Sequence, residues 1–451
     1  MKNAAVRFSC LTVSLCVLIG LDVAGAKDGA AAAPEAPPPA EPAEAEPLEP
    51  AADPAEASAA EAPAPDEFTA CVTELQATAL QSGISQRVVD EVLGRVERVE
   101  RVIELDRRQP EFTQTFTDYY NRRVTRSRVE RGRELLGRHR DLLQRLERRY
   151  GVPAQYLVAF WGLETNFGSF FGDLRVPDSL ATLACDQRRS AYFASELMEA
   201  LRIVDAGDVS ADRMIGSWAG AMGHVQFMPS VFQRYAVDAD GDGRRDLWAS
   251  IPDALASAAN FLSGLGWNRG LRWGREVLLP EGFDYGLTGR HQARPLAEWV
   301  DLGVTDAFGR ALPRLDLQAA VLVPSGDDGP AFLVYDNFDV IMRWNRSEFY
   351  ALSVGRLADE IAGAGPLRRP PPANAVALTR DQILQLQRDL GALGYDIGEA
   401  DGVVGPATRR ALSLFQRDRD LVADGHPDAA ALDAVRQAAV ESLRTQGREG
   451  S

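Results

Sequence analysis

A glutamate inside an apolar helical stretch constrains this chain more than any other sequence feature. Residues 159–168 read AFWGLETNFG. In a helix, this spacing puts Phe160 and Trp161 one turn before Glu164 and Phe167 one turn after it. A carboxyl group held among aromatic rings loses hydration, which disfavours its charged form and raises its pKa. The stretch therefore predicts that Glu164 is a proton donor; the alternative is a surface glutamate that merely has aromatic neighbours.

Length and two breaks in composition divide the chain. Its 451 residues exceed what one core usually serves, because cores stop growing near about 250–300 residues. Residues 27–67 consist mostly of Ala, Pro and Glu and carry −10 of the net charge of −16, so they predict an extended, solvated tether. Proline-rich residues 363–377 predict a linker between folded units at 68–362 and 378–440, with a tail at 441–451.

The first 26 residues have the pattern of a secretory signal peptide. Lys2 and Arg7 precede an apolar run over residues 8–21, and Ala-Gly-Ala ends at Ala26. The run is too short for a stable membrane anchor. Neither of its cysteines follows the small residues that usually precede a lipidated cysteine. The pattern predicts a soluble exported protein rather than a lipoprotein.

Two cysteines follow this segment, Cys71 and Cys185. An even pair in an oxidising compartment favours a disulfide between them. The alternative is two inert buried thiols, because free cysteines are among the most buried residues.

Arginines are concentrated in residues 122–149, where they alternate with acidic residues such as Glu130 and Glu134. This alternation favours a solvated face with salt bridges over a polyanion site. Without a basic face free of acidic neighbours, the chain does not have the charge pattern of a nucleic-acid-binding protein.

Apolar residues repeat every three or four positions over much of the chain, which predicts helices. The expected helical segments include residues 88–99, 132–146, 178–206, 254–265 and a segment that ends near 362. The Glu164 helix is expected to begin at Pro153 and to end at Gly168. Short strands are expected over residues 270–335, including 275–279 and 319–324.

Residues 217–229 read SWAGAMGHVQFMP and mix small, aromatic and amide side chains. Small residues let the backbone approach a ligand, Ser217 and Gln226 supply hydrogen bonds, and Phe227 supplies a flat apolar surface. Sugars present both hydroxyl edges and apolar ring faces. The segment therefore predicts a sugar contact; the alternative is a glycine-rich helix-packing site.

Residues 238–246 read DADGDGRRD, like the first nine positions of an EF-hand calcium loop. The expected ligands are the carboxylates of Asp238, Asp240 and Asp242 and the carbonyl of Arg244. Ala249 stands where the loop normally has a bidentate glutamate, and Asp253 is the candidate substitute. We expect a structural calcium ion; the alternative is a solvated acidic turn.

Two resemblances follow from separated motifs. Residues 68–362 resemble the lytic murein transglycosylase B family, and residues 378–436 resemble the three-helix peptidoglycan-binding domain. The motifs of the first are VIELD at 102–106 with QPEF at 109–112, the Glu164 helix, residues 217–227, the acidic loop and residues 343–350. The motifs of the second are LQ at 386–387, GY at 394–395, DG at 401–402, GPAT at 405–408 and FQ at 415–416.

The resemblance implies a mainly α fold, with a lysozyme-like catalytic domain that has extra helices and a small β part, plus the three-helix domain. It implies that Glu164 is the single catalytic acid and base, that no cofactor takes part in the chemistry, and that the acidic loop is a calcium site. The positions that match the glycan groove are Ser217, Gln226, Phe227, Arg188, Arg189, Trp344, Asn345 and Tyr350. One departure is His224, where the family usually has glutamine.

The implied reaction breaks the β-1,4 bond between N-acetylmuramic acid and N-acetylglucosamine without water and forms a 1,6-anhydromuramyl end, the lyase activity of glycoside hydrolase family 103. Most glycosidases need two carboxylates, and only Glu164 has a desolvated setting. The alternatives are a lysozyme-type hydrolase that uses Asp173 or Asp186, and a non-catalytic wall-binding scaffold. The expected location is the periplasm. The expected partners are peptidoglycan glycan strands and other cell-wall enzymes, and the chain itself is expected to be a monomer.

Overall fold

The computed structural model describes residues 65–107, 114–186 and 188–449. The expected signal peptide, nearly all of the expected tether and the QPEF motif lie outside the described residues. The helices are α1 (Pro65–Gln81), α2 (Gln86–Val92), α3 (Glu100–Arg107), α4 (Phe116–Arg123), α5 (Arg126–Arg138), α6 (Arg140–Tyr150), α7 (Ala154–Thr165), α8 (Val176–Ala184), α9 (Ser190–Asp205), α10 (Pro229–Tyr235), α11 (Ile251–Gly264), α12 (Leu296–Asp301), α13 (Asp336–Trp344), α14 (Glu348–Ile361), α15 (Arg380–Ala392), α16 (Pro406–Asp418) and α17 (Ala429–Glu449). The strands are β1 (Leu174–Arg175), β2 (Ile215–Gly216), β3 (Gly274–Leu278), β4 (Arg294–Pro295), β5 (Thr305–Asp306), β6 (Gln318–Leu322) and β7 (Ala331–Val334).

Helix α7 lies at the centre of the main core and packs against α5, α6, α11 and α14. Nearly all of its side chains are buried, because its sequence is apolar on every face. The helix begins at Ala154, one residue after the expected start at Pro153, but the expected end at Gly168 is wrong. The helix stops at Thr165 because Asn166 and Phe167 both adopt positive φ, at 49° and 60°.

Three of the expected helical segments are interrupted. His139 separates α5 from α6 within residues 132–146. Within 178–206, α8 ends at Ala184 and α9 begins at Ser190. Residues 88–99 are helical only as far as Arg95, where a short 3-10 turn ends. Buried apolar residues continue at helical spacing on both sides of each break. Periodicity alone therefore does not reveal the helix breaks.

The small β part is an antiparallel sheet of five strands in the order β4-β6-β7-β3-β5. Strands β3 and β6 overlap the two segments that the sequence predicts, 275–279 and 319–324, with bounds shifted by one or two residues. One face of the sheet packs on a second core around Trp299, and Phe332 on β7 belongs to the main core. The sheet is thus fixed against the helices that surround α7.

Cys71 and Cys185 form a disulfide, with a Cα–Cα distance of 5.9 Å. The bond joins α1 to the residue that follows α8 and confirms the predicted pairing.

The three last helices form a separate unit with its own core around Leu386, Leu412 and Phe415. Helix α17 continues to Glu449, beyond the expected boundary at 440. Within the described ranges, no helix combines the length and the apolar character that crossing a membrane requires.

Candidate active site

Glu164 lies in the last turn of α7 and is half-buried. Two side chains donate hydrogen bonds to the same carboxylate oxygen, Oε1: the indole of Trp344, at 2.9 Å, and the hydroxyl of Tyr350. No described residue is hydrogen-bonded to Oε2. The two carboxylate oxygens therefore have different environments, one fixed by the protein and one free for a ligand.

Aromatic rings surround these donors. The ring of Phe160 lies 4.4 Å from that of Trp344 and 6.2 Å from that of Tyr350. Phe261 and Phe227 pack on Trp344 at 5.1 and 5.5 Å. Burial among these rings raises the pKa of Glu164 to about 7, although the hydrogen bonds from Tyr350 and Trp344 act in the opposite direction. Near neutral pH, Glu164 is thus available as a proton donor.

The corner between α13 and α14 positions both donors. Trp344 is the last residue of α13, and Tyr350 lies in the first turn of α14. Ser347 caps α14 by accepting a hydrogen bond from the Tyr350 amide, and Asn345 accepts one from the Ser347 amide. Trp344 and Tyr350 meet at Glu164, whereas the buried Asn345 side chain holds the corner.

Residues 217–228 form a loop rather than a helix, which excludes a glycine-rich helix-packing site. The Ser217 hydroxyl accepts a hydrogen bond from the Ala221 amide within this loop. Gln226 has a φ of 50°. Its side-chain Nε2 donates hydrogen bonds to the backbone carbonyls of Phe171 and Gly223. Its buried Oε1 has no hydrogen-bond partner among the described residues. Phe227 is 2% exposed, so its ring supports Trp344 from behind.

His224, the residue that departs from the family pattern, joins this loop to α7. Its Nδ1 accepts a hydrogen bond from the indole of Trp161 at 2.9 Å, and its carbonyl accepts one from the Thr165 hydroxyl. The ring packs against Gly168, whose positive φ and missing side chain leave it room. Burial lowers the pKa of His224 to about 4, so the imidazole is neutral when Glu164 titrates.

Arg188 and Arg189 both pair with Asp106, a buried carboxylate on α3. Asp106 is a functional candidate that sequence reasoning missed. The signal was present, because Asp106 follows Val102 and Ile103 by one turn on the buried face of α3.

The two acids named for a hydrolytic alternative are both held in ion pairs. Asp173 pairs with Arg101 at 3.0 Å and Asp186 with Arg107 at 3.4 Å. Neither is hydrogen-bonded to Glu164 or to its donors. The arrangement provides one carboxyl group set up for proton transfer.

The acidic loop brings carboxylates together. Oxygens of Asp238, Asp240 and Asp253 lie within 4.8 Å of one another, so Asp253 takes part as the sequence suggests. Asp242 is not in this cluster, and its carboxylate accepts a hydrogen bond from the Arg244 amide. Asp253 is fully buried and accepts backbone hydrogen bonds from residues 239, 240 and 246. Clustered hard oxygen donors fit a calcium ion.

A helical fold that holds one desolvated glutamate among aromatic rings defines a lysozyme-like, glycan-cleaving class of enzyme. Family models agree with this class: the transglycosylase SLT domain matches residues 67–359, and the putative peptidoglycan binding domain matches residues 379–435.

Individual relatives narrow the class. Membrane-bound lytic murein transglycosylase B of Escherichia coli (strain K12) is 30% identical over 310 residues, which is 62% of this chain and 79% of that protein. SltB3 from Pseudomonas aeruginosa, solved in complex with NAG-anhNAM-pentapeptide, superposes with a TM-score of 0.79 at 44% identity, over 82% of this chain and 99% of SltB3. The Escherichia coli lytic transglycosylase Slt35, solved in complex with calcium, gives a TM-score of 0.57 at 29% identity, over 65% of this chain and 92% of Slt35.

The chain belongs to the lytic murein transglycosylase B family and has a C-terminal peptidoglycan-binding domain. It is an enzyme that acts on peptidoglycan, with a lyase activity.

Proposed function

We propose that Glu164 is the single acid and base of a non-hydrolytic cleavage of the bond between N-acetylmuramic acid and N-acetylglucosamine. The observation that carries this proposal is that Trp344 and Tyr350 both donate to Oε1. In the protonated carboxyl, Oε1 then acts as the acceptor and the proton resides on Oε2. The acid proton is thereby directed to the oxygen that no described residue occupies.

The reaction begins when Oε2 gives its proton to the glycosidic oxygen and the bond from that oxygen to C1 of the muramyl sugar breaks. The carbonyl oxygen of the sugar's own N-acetyl group stabilises the cationic C1. The C6 hydroxyl then attacks C1, and its proton passes to the Glu164 carboxylate. A C1–O6 bond has formed, Glu164 is again protonated, and no water has been consumed.

Gln226, with the aromatic wall of Trp344, is the proposed groove contact. The Gln226 carbonyl oxygen has no partner among the described residues, so it is the acceptor that we assign to a sugar N–H or hydroxyl. SltB3, to which this chain is similar, has been solved with NAG-NAM-pentapeptide, which supports a sugar-peptide substrate here.

Replacing Glu164 by Gln tests this function. The amide cannot donate an acidic proton, so we expect turnover of purified sacculi to fall by about 10²–10⁴-fold. Binding to sacculi is expected to persist, because the peptidoglycan-binding domain is untouched. Mass spectrometry of wild-type products should show anhydromuramyl ends. Reducing ends, heavier by one water, would instead support the lysozyme-type alternative.

The acidic loop is also proposed to bind a structural calcium ion, with Asp238, Asp240 and Asp253 as its ligands. The ion would neutralise carboxylates that otherwise repel one another. We also propose export to the periplasm, supported by the signal-like first 26 residues and by the Cys71–Cys185 disulfide, which is typical of oxidising compartments.

A further inference from the structure

A cavity of about 590 Å³ opens where the edge of the five-stranded sheet meets the chain that follows α14. Its walls come from strands β3 and β5, the turn after β5, the end of α14 and residues 364–368. Its volume lies within the range of about 300–1,000 Å³ that ligand sites usually have. None of the residues around Glu164 lines it.

The cavity is rich in positive charge although the chain as a whole is acidic. Five arginines line it against three carboxylates. Arg272 and Arg356 both pair with Asp359, at 3.2 and 3.6 Å, and Arg310 pairs with Asp306 at 2.7 Å. Arg275 and Arg368 have no carboxylate partner among the described residues. These two guanidinium groups on the wall therefore have no paired negative charge among the described residues.

A further acid in the wall is already satisfied. Glu276 accepts hydrogen bonds from the backbone amides of Arg368 and Arg369, at 3.0 and 2.8 Å. These bonds fix the linker against β3 but leave the Arg368 guanidinium free. Glu276 therefore fixes the backbone at Arg368 rather than pairing with the Arg368 guanidinium.

An exposed aromatic ring forms one side of the cavity. Phe308 is 64% exposed, and the guanidinium groups of Arg310 and Arg368 lie 5.0 and 5.2 Å from its ring centre. These cation–π contacts hold both guanidinium groups in place. Ala364, Pro366 and Leu367 add apolar wall. The cavity thus combines a fixed cationic part with surface suited to small apolar side chains.

We propose that this cavity is a second binding site and that it takes the free carboxylate end of a short peptide, namely a stem peptide of peptidoglycan. The source of the peptide rests on the proposed function. Guanidinium groups bind carboxylates through paired, charge-assisted hydrogen bonds. The apolar wall favours a peptide over a bare inorganic anion. A stem peptide held here would anchor the wall polymer without occupying the groove at Glu164.

Calorimetric titration of the full-length wild-type protein tests the assignment. The probe is a synthetic stem pentapeptide without sugar, which offers no bond to cleave. The second arm uses the same peptide with a C-terminal amide, and the third uses inorganic phosphate. The variants are Arg368→Gln and Phe308→Ala, with Arg95→Gln as the matched control because Arg95 is an exposed arginine outside the cavity.

We expect the acid peptide to bind at least about tenfold more tightly than the amide, and Arg368→Gln and Phe308→Ala each to weaken it several-fold while Arg95→Gln does not. No binding to the wild type, or equal binding to Arg368→Gln and Phe308→Ala, would overturn the proposal. Phosphate binding as tight as that of the peptide would reduce the cavity to a small-anion site. Failure of the proposed function would show separately, as sacculus turnover by Glu164→Gln.

Discussion

At the scale of single residues, the role proposed for Glu164 depends on a hydroxyl contributed from far along the sequence. The Tyr350 hydroxyl stabilises the charged carboxylate, so Tyr350→Phe is expected to raise the pKa of Glu164 further. Because the donor must begin protonated, activity falls as pH rises through this pKa, which is about 7 in the wild type. The basic limb of the pH profile of kcat/KM should therefore move to higher pH in Tyr350→Phe.

Tyr235→Phe is the control for this shift, since its ring packs on Phe261 and its hydroxyl is not bonded to Glu164. An unchanged basic limb in Tyr350→Phe, or an equal shift in Tyr235→Phe, would contradict the assignment of the limb to Glu164.

His224 is a second residue whose role can be separated by substitution. His224→Leu removes the acceptor of the Trp161 indole N–H and leaves that donor buried, at a cost of about 1–3 kcal/mol in the free energy of unfolding. His224→Gln, the residue usual in the family, retains an acceptor and should be closer to the wild type. Urea denaturation of the two variants measures the difference, and equal stabilities would show that the hydrogen bond contributes nothing.

At the scale of elements, the acidic loop between α10 and α11 should respond to calcium. Calcium at about 100 times its Kd stabilises a protein by about 2.7 kcal/mol, so the wild-type Tm should rise when the ion is added. Asp253→Asn should lose most of this rise, because its buried carboxylate belongs to the cluster. Asp316→Asn, an exposed aspartate elsewhere, serves as control. If added calcium leaves the wild-type Tm unchanged, the proposed calcium site is wrong.

Some structural features could be predicted from the sequence and others could not. The helical class, strands β3 and β6, the disulfide and the aromatic setting of Glu164 could all be predicted, because each leaves a local pattern or a pair of rare residues. The ring partners of Glu164 could not be assigned by spacing. Phe160 does face the site, but Trp161 turns to His224, and the hydrogen-bond donors come from α13 and α14, about 180 positions later. Such pairings depend on tertiary packing.

The end of α7 illustrates the same limit. Glycine is the residue that most readily adopts positive φ, so Gly168 was the natural stop signal. In the structure the helix ends earlier, at Thr165, and Asn166 and Phe167 follow in the left-handed region. The Phe167 ring packs against Trp161 at 5.9 Å, a contact that offsets the cost of this conformation.

At the scale of the whole molecule, one place where the C-terminal unit contacts the catalytic part is the turn at Gly326. The Asp327 amide donates to Asp424 at 3.0 Å, and a side chain at Gly326 would lie 2.8 Å from the Cβ of His426. Gly326→Val should therefore wedge the two parts apart and increase the radius of gyration measured by X-ray scattering. Gly282→Val is the control, because Gly282 also has positive φ but has no neighbour within 4 Å.

An unchanged radius for Gly326→Val would mean that the two parts are held together elsewhere. A similar increase for both glycine variants would assign the effect to backbone strain rather than to the contact.

The Cys71–Cys185 bond closes a covalent ring across 114 positions of sequence, and Glu164 lies inside that ring. A protease that nicks the backbone once within the ring leaves both pieces attached to each other. The nicked protein would migrate as one species on a non-reducing gel and as two after reduction. Glu164 would therefore stay covalently joined to both pieces after a cut that would separate an open chain into two.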